Sequence, residues 1–228
     1  MTAAPDPGLR GHRARLRKRL LDGGPKAVAP HEILEMTLFQ AQPRGDTKPL
    51  AKALLARFGD LAGVVAAPPE QLMAVEGCGE AAAAAVKSIE AAAVALLQAR
   101  ASEAPVLSSW DRTLDYLRGA MGAQSREQFR VLFLDRKNRL LGDEVVAEGT
   151  VDRTAVFPRE IVRRALELGA SALILAHNHP SGDPKPSAED AAMTEKIVAA
   201  CRAVDIAVHD HVVIARGGAS SLRTLGLM

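Results

Sequence analysis

His177 and His179 alternate in the string HNHPSGDPKPSAED, residues 177–190, with Ser187 eight residues beyond the second imidazole and Asp190 three beyond the serine. The run ALILA just upstream reads as a buried strand, and residues two apart at a strand end point to one side. Pro180, Gly182, Pro184 and Pro186 break regular structure and define a loop. Ser187 then has the makings of an N-cap, with Asp190 at the third position of a helix AEDAAMTEKIVAACRAV. A strand end and a helix start thus bring two imidazoles and a carboxylate together. Two His and one carboxylate, with a fourth position left for water, is an arrangement of catalytic zinc. The plainer reading is a polar loop before an acid that faces the helix macrodipole. It leaves the H-x-H pair, the capping serine and the proline-stiffened loop unexplained within one short window.

The window resembles the JAMM (MPN+) metalloprotease signature: H-x-H with Pro after the second His, seven residues between that His and a Ser, then S-x-x-D. With PREIVRRALELGASALILA before it and VDIAVHDHVVI after it, the string is similar to the bacterial RadC family. KPLAKALLARFGDLAGVV nearer the N-terminus extends the similarity over nearly the whole chain. The resemblance implies that His177, His179 and Asp190 bind Zn2+ and that Ser187 stabilises a tetrahedral oxyanion. It also implies a distant Glu as general base on the attacking water, and an MPN-type mixed sheet flanked by helices, of cytidine-deaminase-like architecture. Asn178 stands where the deubiquitinating members carry Ser or Thr, which leaves metal binding intact and weakens any transfer of their substrate.

Metal coordination alone brings water's pKa only to about 7, so the chemistry needs a base. Glu127, Glu144 and Glu148 are the candidates. Glu127 opens EQFRVLFLD, a strand-like run, 50 residues before His177, and it fits the family's spacing best. Glu144 falls inside the next strand, LLGDEVVAEG, and Glu148 near its end. A general base must reach its water by a hydrogen bond, which spacing does not reveal.

A second H-x-H, His209 and His211 in IAVHDHVVIA, is strand-like, so alternation puts both His on one face and Asp210 on the other. No carboxylate follows at ligand spacing. These are polar sheet residues, with His211 the better placed to orient a zinc ligand from behind.

The elements that must position these groups follow from composition and pattern. The chain has 228 residues, 48% hydrophobic but only 3% aromatic, so its core is built from Ala, Leu and Val. No stretch reads as a signal peptide or a membrane span. Cys78 and Cys201 are isolated thiols without C-x-x-C spacing, which excludes a zinc ribbon and a disulfide framework and suits a reducing cytoplasm. We expect a disordered N-terminus over residues 1–8, a helical domain over 9–100, a linker at 101–108 and an α/β domain over 109–228. The Ala-rich tract from Ala81 to Ala101 reads as one long helix with Val86, Ile89, Val94 and Leu97 on its apolar side. Beyond the linker, SWDRTLDYLRGAMG, two strands turning at RKN, helix PREIVRRALELG, the metal-site strand and helix, and IAVHDHVVIA predict a three-layer α/β sheet.

Two features of the N-terminal half point to nucleic acid. LMAVEGCGEAAAAAV resembles a helix-hairpin-helix, in which Gly77 and Gly79 would let backbone N–H groups meet a phosphate at a helix start. Glu76 and Glu80 beside it favour instead a docking module. Net charge is only +2, yet GLRGHRARLRKRLL gathers Arg13, Arg15, Arg17 and Lys18 with Arg10 and Arg19. Such a cluster suits phosphate contacts or a solvated helix face. The resemblance, together with the candidate zinc site, implies a zinc-dependent peptidase or isopeptidase acting on a peptide or protein. The alternatives are a DNA-binding repair accessory or metal-dependent nuclease, and a metal-binding scaffold without turnover. Nothing in the sequence sets an oligomeric state.

Overall fold

A computed structural model describes residues 11–102, 105–149 and 156–228. The expected disordered stretch 1–8 lies outside the described residues. The chain divides into two compact units between Ala92 and Ala93, inside a helix and ahead of the expected linker at 101–108. Among the described residues, no helix is long and apolar enough to cross a membrane.

The first unit is all-helical: α1 (His12–Gly23), α2 (Pro30–Ala41), α3 (Lys48–Phe58), α4 (Leu61–Ala66), α5 (Pro69–Met73) and the start of α6 (Glu80–Ser102). Pro30 opens α2, where its missing N–H costs nothing, and Glu32 reaches back to the Ala29 N–H at 2.8 Å. Leu34 and Leu38 of α2, one turn apart, meet Leu50, Ala51 and Leu54 of α3 in the core. Gly59 ends α3 at φ 90°, a backbone region that favours glycine. The short α4 was not legible in LAGVVA: it exists because Asp60 Oδ1 caps the Gly63 N–H at 2.7 Å and Val64 is buried. The Ala-rich helix forms as predicted. Its Ala82, Ala83 and Val86 belong to the first core, whereas Val94 and Leu97 pack in the second unit.

The second unit carries α7 (Trp110–Met121), β1 (Glu127–Leu134), β2 (Leu140–Gly149), α8 (Pro158–Glu167), β3 (Ala172–Asn178), α9 (Ala188–Arg202), β4 (Ala207–Ala215) and β5 (Gly218–Ser221). The strands form one sheet in the order β2-β1-β3-β4-β5. Only β3 and β4 run parallel, joined by the α9 crossover. Phe129, Val131, Phe133, Leu173 and Leu175 pack one face against Ile161 of α8 and Ile197 of α9. Leu132, Leu134, Ile174 and Val212 pack the other against Tyr116, Leu117 and Met121 of α7. This is the expected three-layer α/β arrangement. Every residue of the central strand β3 is buried, hence the unbroken apolar run ALILA. The sequence hid β5: GASS has little strand propensity and is a strand only because it pairs with Val212–Ala215.

Candidate metal centre

β3 ends at Asn178, so His177 is its last residue but one and His179 follows it. Between His179 and α9 the proline-rich loop is anchored twice: His179 N–H donates to the Ile214 carbonyl at 2.8 Å, and Gly217 N–H donates to the Gly182 carbonyl at 3.1 Å. A Cβ on Gly217 would lie 2.8 Å from that carbonyl, so the close approach requires glycine there. Ser187 is the N-cap of α9, as predicted. Its Oγ accepts the Asp190 N–H at 3.1 Å, while its own N–H and O–H both donate to Asp190 Oδ2 at 2.7 Å. The capping box therefore fixes the carboxylate.

Three ligand-type side chains converge. His177 Nε2 lies 2.9 Å from His179 Nε2 and 3.2 Å from Asp190 Oδ1, and His179 Nε2 lies 3.5 Å from Asp190 Oδ2. Among the described residues these three form the only cluster of His, Cys, Asp and Glu able to hold a metal ion. Their spacing brackets the roughly 3.3 Å between ligands about 2.0–2.1 Å from a tetrahedral zinc. His177 is 1% exposed, His179 and Asp190 18% and 16%, so the cluster is buried behind and open in front.

The hydrogen-bond partners set the ring tautomers. His179 Nδ1 faces the Asp183 carbonyl at 2.9 Å, which only accepts, so Nδ1 carries the proton and Nε2 is bare. Thr194 Oγ1 donates to the Asp190 carbonyl at 2.6 Å and so accepts from His211 Nδ1, also at 2.6 Å. His211 Nε2 then accepts from His177 Nδ1 at 2.8 Å, leaving His177 Nε2 bare as well. Two bare nitrogens 2.9 Å apart beside a carboxylate repel unless a cation, proton or metal, lies among them. The donor set fits a metal ion.

Burial opposes the charge on Asp190, but the His177 and His179 rings that face it, either of which donates to the carboxylate once it takes up a proton, and the Ser187 amide outweigh burial and hold the carboxyl well below the usual range. A proton added at His179 Nε2 would be held by Asp190, which raises this imidazole above its ordinary range. Burial, reinforced by His177, drives His211 well below its ordinary 6.5, so the His211 ring behind His177 is neutral. His211 also meets Phe129 edge-on, centroids 5.2 Å apart, and Phe129 stacks on His177.

Glu127 is half-buried at the start of β1. Burial pushes its carboxyl up, His177 and His179 pull it down, and Asp190 pushes it up. It is thus within electrostatic reach of the whole cluster. Glu144 is not: Arg164 of α8 grips it through Nε at 2.8 Å and Nη2 at 2.6 Å and holds it below the usual carboxylate range. Glu148 stands exposed on the outer strand β2.

Strict alternation failed for the second H-x-H. The β3–β4 register runs Leu173↔Val208 then Ile174↔Asp210 and skips His209. This bulge separates the two rings. His209 Nε2 reaches Asn138 Oδ1 at 2.7 Å in the β1–β2 turn, while His211 backs His177. Sequence reasoning missed Thr194, although it lies one helical turn beyond Asp190 and so on the same face.

In the first unit Arg13 does not serve as the exposed phosphate contact expected. Its guanidinium donates to the carbonyls of Gln42 at 2.7 Å, Pro43 at 2.9 Å and Gly45 at 3.0 Å and stacks over Phe39, capping the end of α2. Arg15, Arg17 and Lys18 are exposed on α1. Gly77 adopts φ 80° between α5 and α6, its carbonyl accepting from Gln42 Nε2 at 2.9 Å. Gly79 faces open space.

A family model described as a RadC-like JAB domain matches residues 107–227, which span the sheet, both histidines and Asp190. A UPF0758 protein of Rhodobacter capsulatus is 54% identical over 213 residues, covering 93% of this chain and 100% of the relative. The metal-type cluster at the end of β3 therefore lies in a domain of the JAMM type, a class of metal-dependent hydrolases, and the chain belongs to the RadC family.

Proposed function

We propose that the protein is a zinc-dependent hydrolase cleaving a peptide or isopeptide bond of a peptide or protein substrate. The observation that carries this reading is the convergence of bare His177 Nε2, bare His179 Nε2 and the Asp190 carboxylate, with Glu127 half-buried beside them. His177, His179 and Asp190 would hold the zinc. When bound, zinc lowers the pKa of a coordinated water towards 7 and polarises a carbonyl. Glu127 takes the proton of the attacking water and returns it to the leaving amine. Ser187 orients Asp190. Its single hydroxyl proton rests on Asp190 Oδ2, so it serves an oxyanion only by rotating off that oxygen. The test is incubation of the zinc-loaded protein with a peptide library and with DNA, beside Asp190→Ala and Glu127→Gln. Peptide cleavage lost in both variants supports the reading. Cleavage of DNA alone replaces it.

A second reading, non-specific DNA binding through the first unit, is favoured by one observation, the exposed Arg15, Arg17 and Lys18 on α1. Both cysteines are free and buried, which suits work in a reducing cytoplasm.

A further inference from the structure

Asn178 stands between the two histidines, yet its side chain does not join them. It is 1% exposed. The last β1–β3 pair is Phe129↔His177. One step beyond, the ladder is continued by a side chain: Asn178 Oδ1 accepts the Gln128 N–H at 2.8 Å, and Nδ2 donates to the carbonyls of Arg126 at 3.0 Å and Gln124 at 3.4 Å. The Arg126 carbonyl belongs to the peptide plane before Glu127, and the Gln128 N–H to the plane after it. One side chain thus grips both planar units flanking the Glu127 Cα, and with both planes fixed φ and ψ are fixed too. The grip needs an acceptor and two donors on one short stem. Asn supplies them, Ser and Thr offer a single donor, and Asp offers none when ionised.

We propose that Asn178 is a positioning residue for Glu127: it indexes the base to the same strand end that carries two of the metal ligands. The inference rests on the hydrolase reading above. A general base works within a hydrogen bond of about 2.6–3.2 Å, so a carboxylate free to drift by ~0.5 Å loses its function while the metal site stays intact.

The test uses the full chain, with Asn178→Ala and the milder Asn178→Ser should the first fail to fold. The readouts are zinc content, hydrogen exchange of the Gln128 amide, and affinity of the zinc-loaded protein for acetohydroxamate, a zinc-chelating probe whose hydroxyl proton is shared with a correctly held base. We expect one zinc per chain throughout and Gln128 exchange faster by about tenfold or more. Acetohydroxamate binding should weaken by similar factors in Asn178→Ala, Glu127→Gln and the double variant, because the second change removes what the first has already displaced. A merely structural role gives no such non-additivity. Additive losses in the double variant, or native acetohydroxamate affinity in Asn178→Ala, overturn the proposal. If the native zinc form does not bind the probe at all, the hydrolase reading falls instead. Gln128 exchange in the metal-free protein then decides for Asn178, and unchanged exchange counts against it.

Discussion

His177 Nδ1 lies 2.8 Å from His211 Nε2, and the line from His211 runs through the Thr194 hydroxyl to the backbone carbonyl of Asp190. One candidate ligand is therefore braced against the helix turn that carries another. Such outer partners fix the orientation and basicity of a metal-binding imidazole. His211→Ala should weaken zinc binding by about 10- to 100-fold, and Thr194→Val should follow in the same direction more weakly. Competition against a chelator of known affinity measures both. The double variant His177→Ala/His179→Ala should lose stoichiometric zinc altogether, and full zinc content by elemental analysis would sink the ligand assignment.

Glu127→Gln keeps size and polarity but removes the carboxylate proposed as the base. Zinc should stay while hydrolysis falls by roughly 100-fold or more. Glu144→Gln should leave turnover alone and loosen only the contact with Arg164, which solvent screens at this exposure. Steady-state rates and a thermal melt distinguish the two.

Ser187→Ala removes a helix cap, costing about 1 kcal/mol, and frees one side of Asp190. Zinc affinity should fall along with any loss of rate, which for an oxyanion donor alone is ~10²–10³. Full affinity with a slow rate would assign Ser187 to the oxyanion rather than to the ligand.

Acid should unfold the metal-free protein through its buried imidazoles. The folded state depresses His211 and, by burial, His209 below their ordinary 6.5. The unfolded chain therefore binds protons that the folded one does not. The contribution of these two groups is complete above about pH 6.5 and is lost as pH falls from there towards the lowered folded values, by about 1.4 kcal/mol per pH unit for each proton. Denaturant titrations in EDTA across this window should show a smaller slope for His209→Gln.

If α1 contacts phosphates, the full chain should bind duplex DNA with a log–log salt slope of about −0.9 per contact. Charge reversal at Arg15, Arg17 and Lys18 should flatten that slope. Arg13 must be left alone, since it caps α2. A Cβ at Gly79 meets nothing within 4 Å, so Gly79→Val should fold normally and weaken binding only by obstructing the approach. No shift at low salt up to ~100 µM, beyond the usual non-specific range, leaves the protein-docking reading of the hairpin.

The second unit was legible because its signals are local: a strand run, a proline loop, an N-cap and an acid at its third helical position. The meeting of His177, His179 and Asp190, and the Ser187 cap that holds the acid, follow from these. What stayed hidden depends on other strands. Arg164's hold on Glu144 needs α8 packed beside β2, and β5 needs the edge of β4. Arg13 looked like a cation for solvent because charge clusters show no partners in one dimension. The carbonyls it caps lie about 30 residues away.

The extra residue at position 209 also makes the site sensitive to counting. Side chains in a strand alternate, so each added or lost residue exchanges inside for outside. Leu173↔Val208 and Leu175↔His211 stay in step only because 209 is looped out. Drawn flat into the ladder, the same letters would present Asp210 to His177 and send His211 to the opposite face. An acid would then take the place of the neutral brace. Deleting His209 should keep the frame and the zinc. Inserting one residue between 209 and 211 should shift the frame and lose the brace, although no candidate ligand has changed.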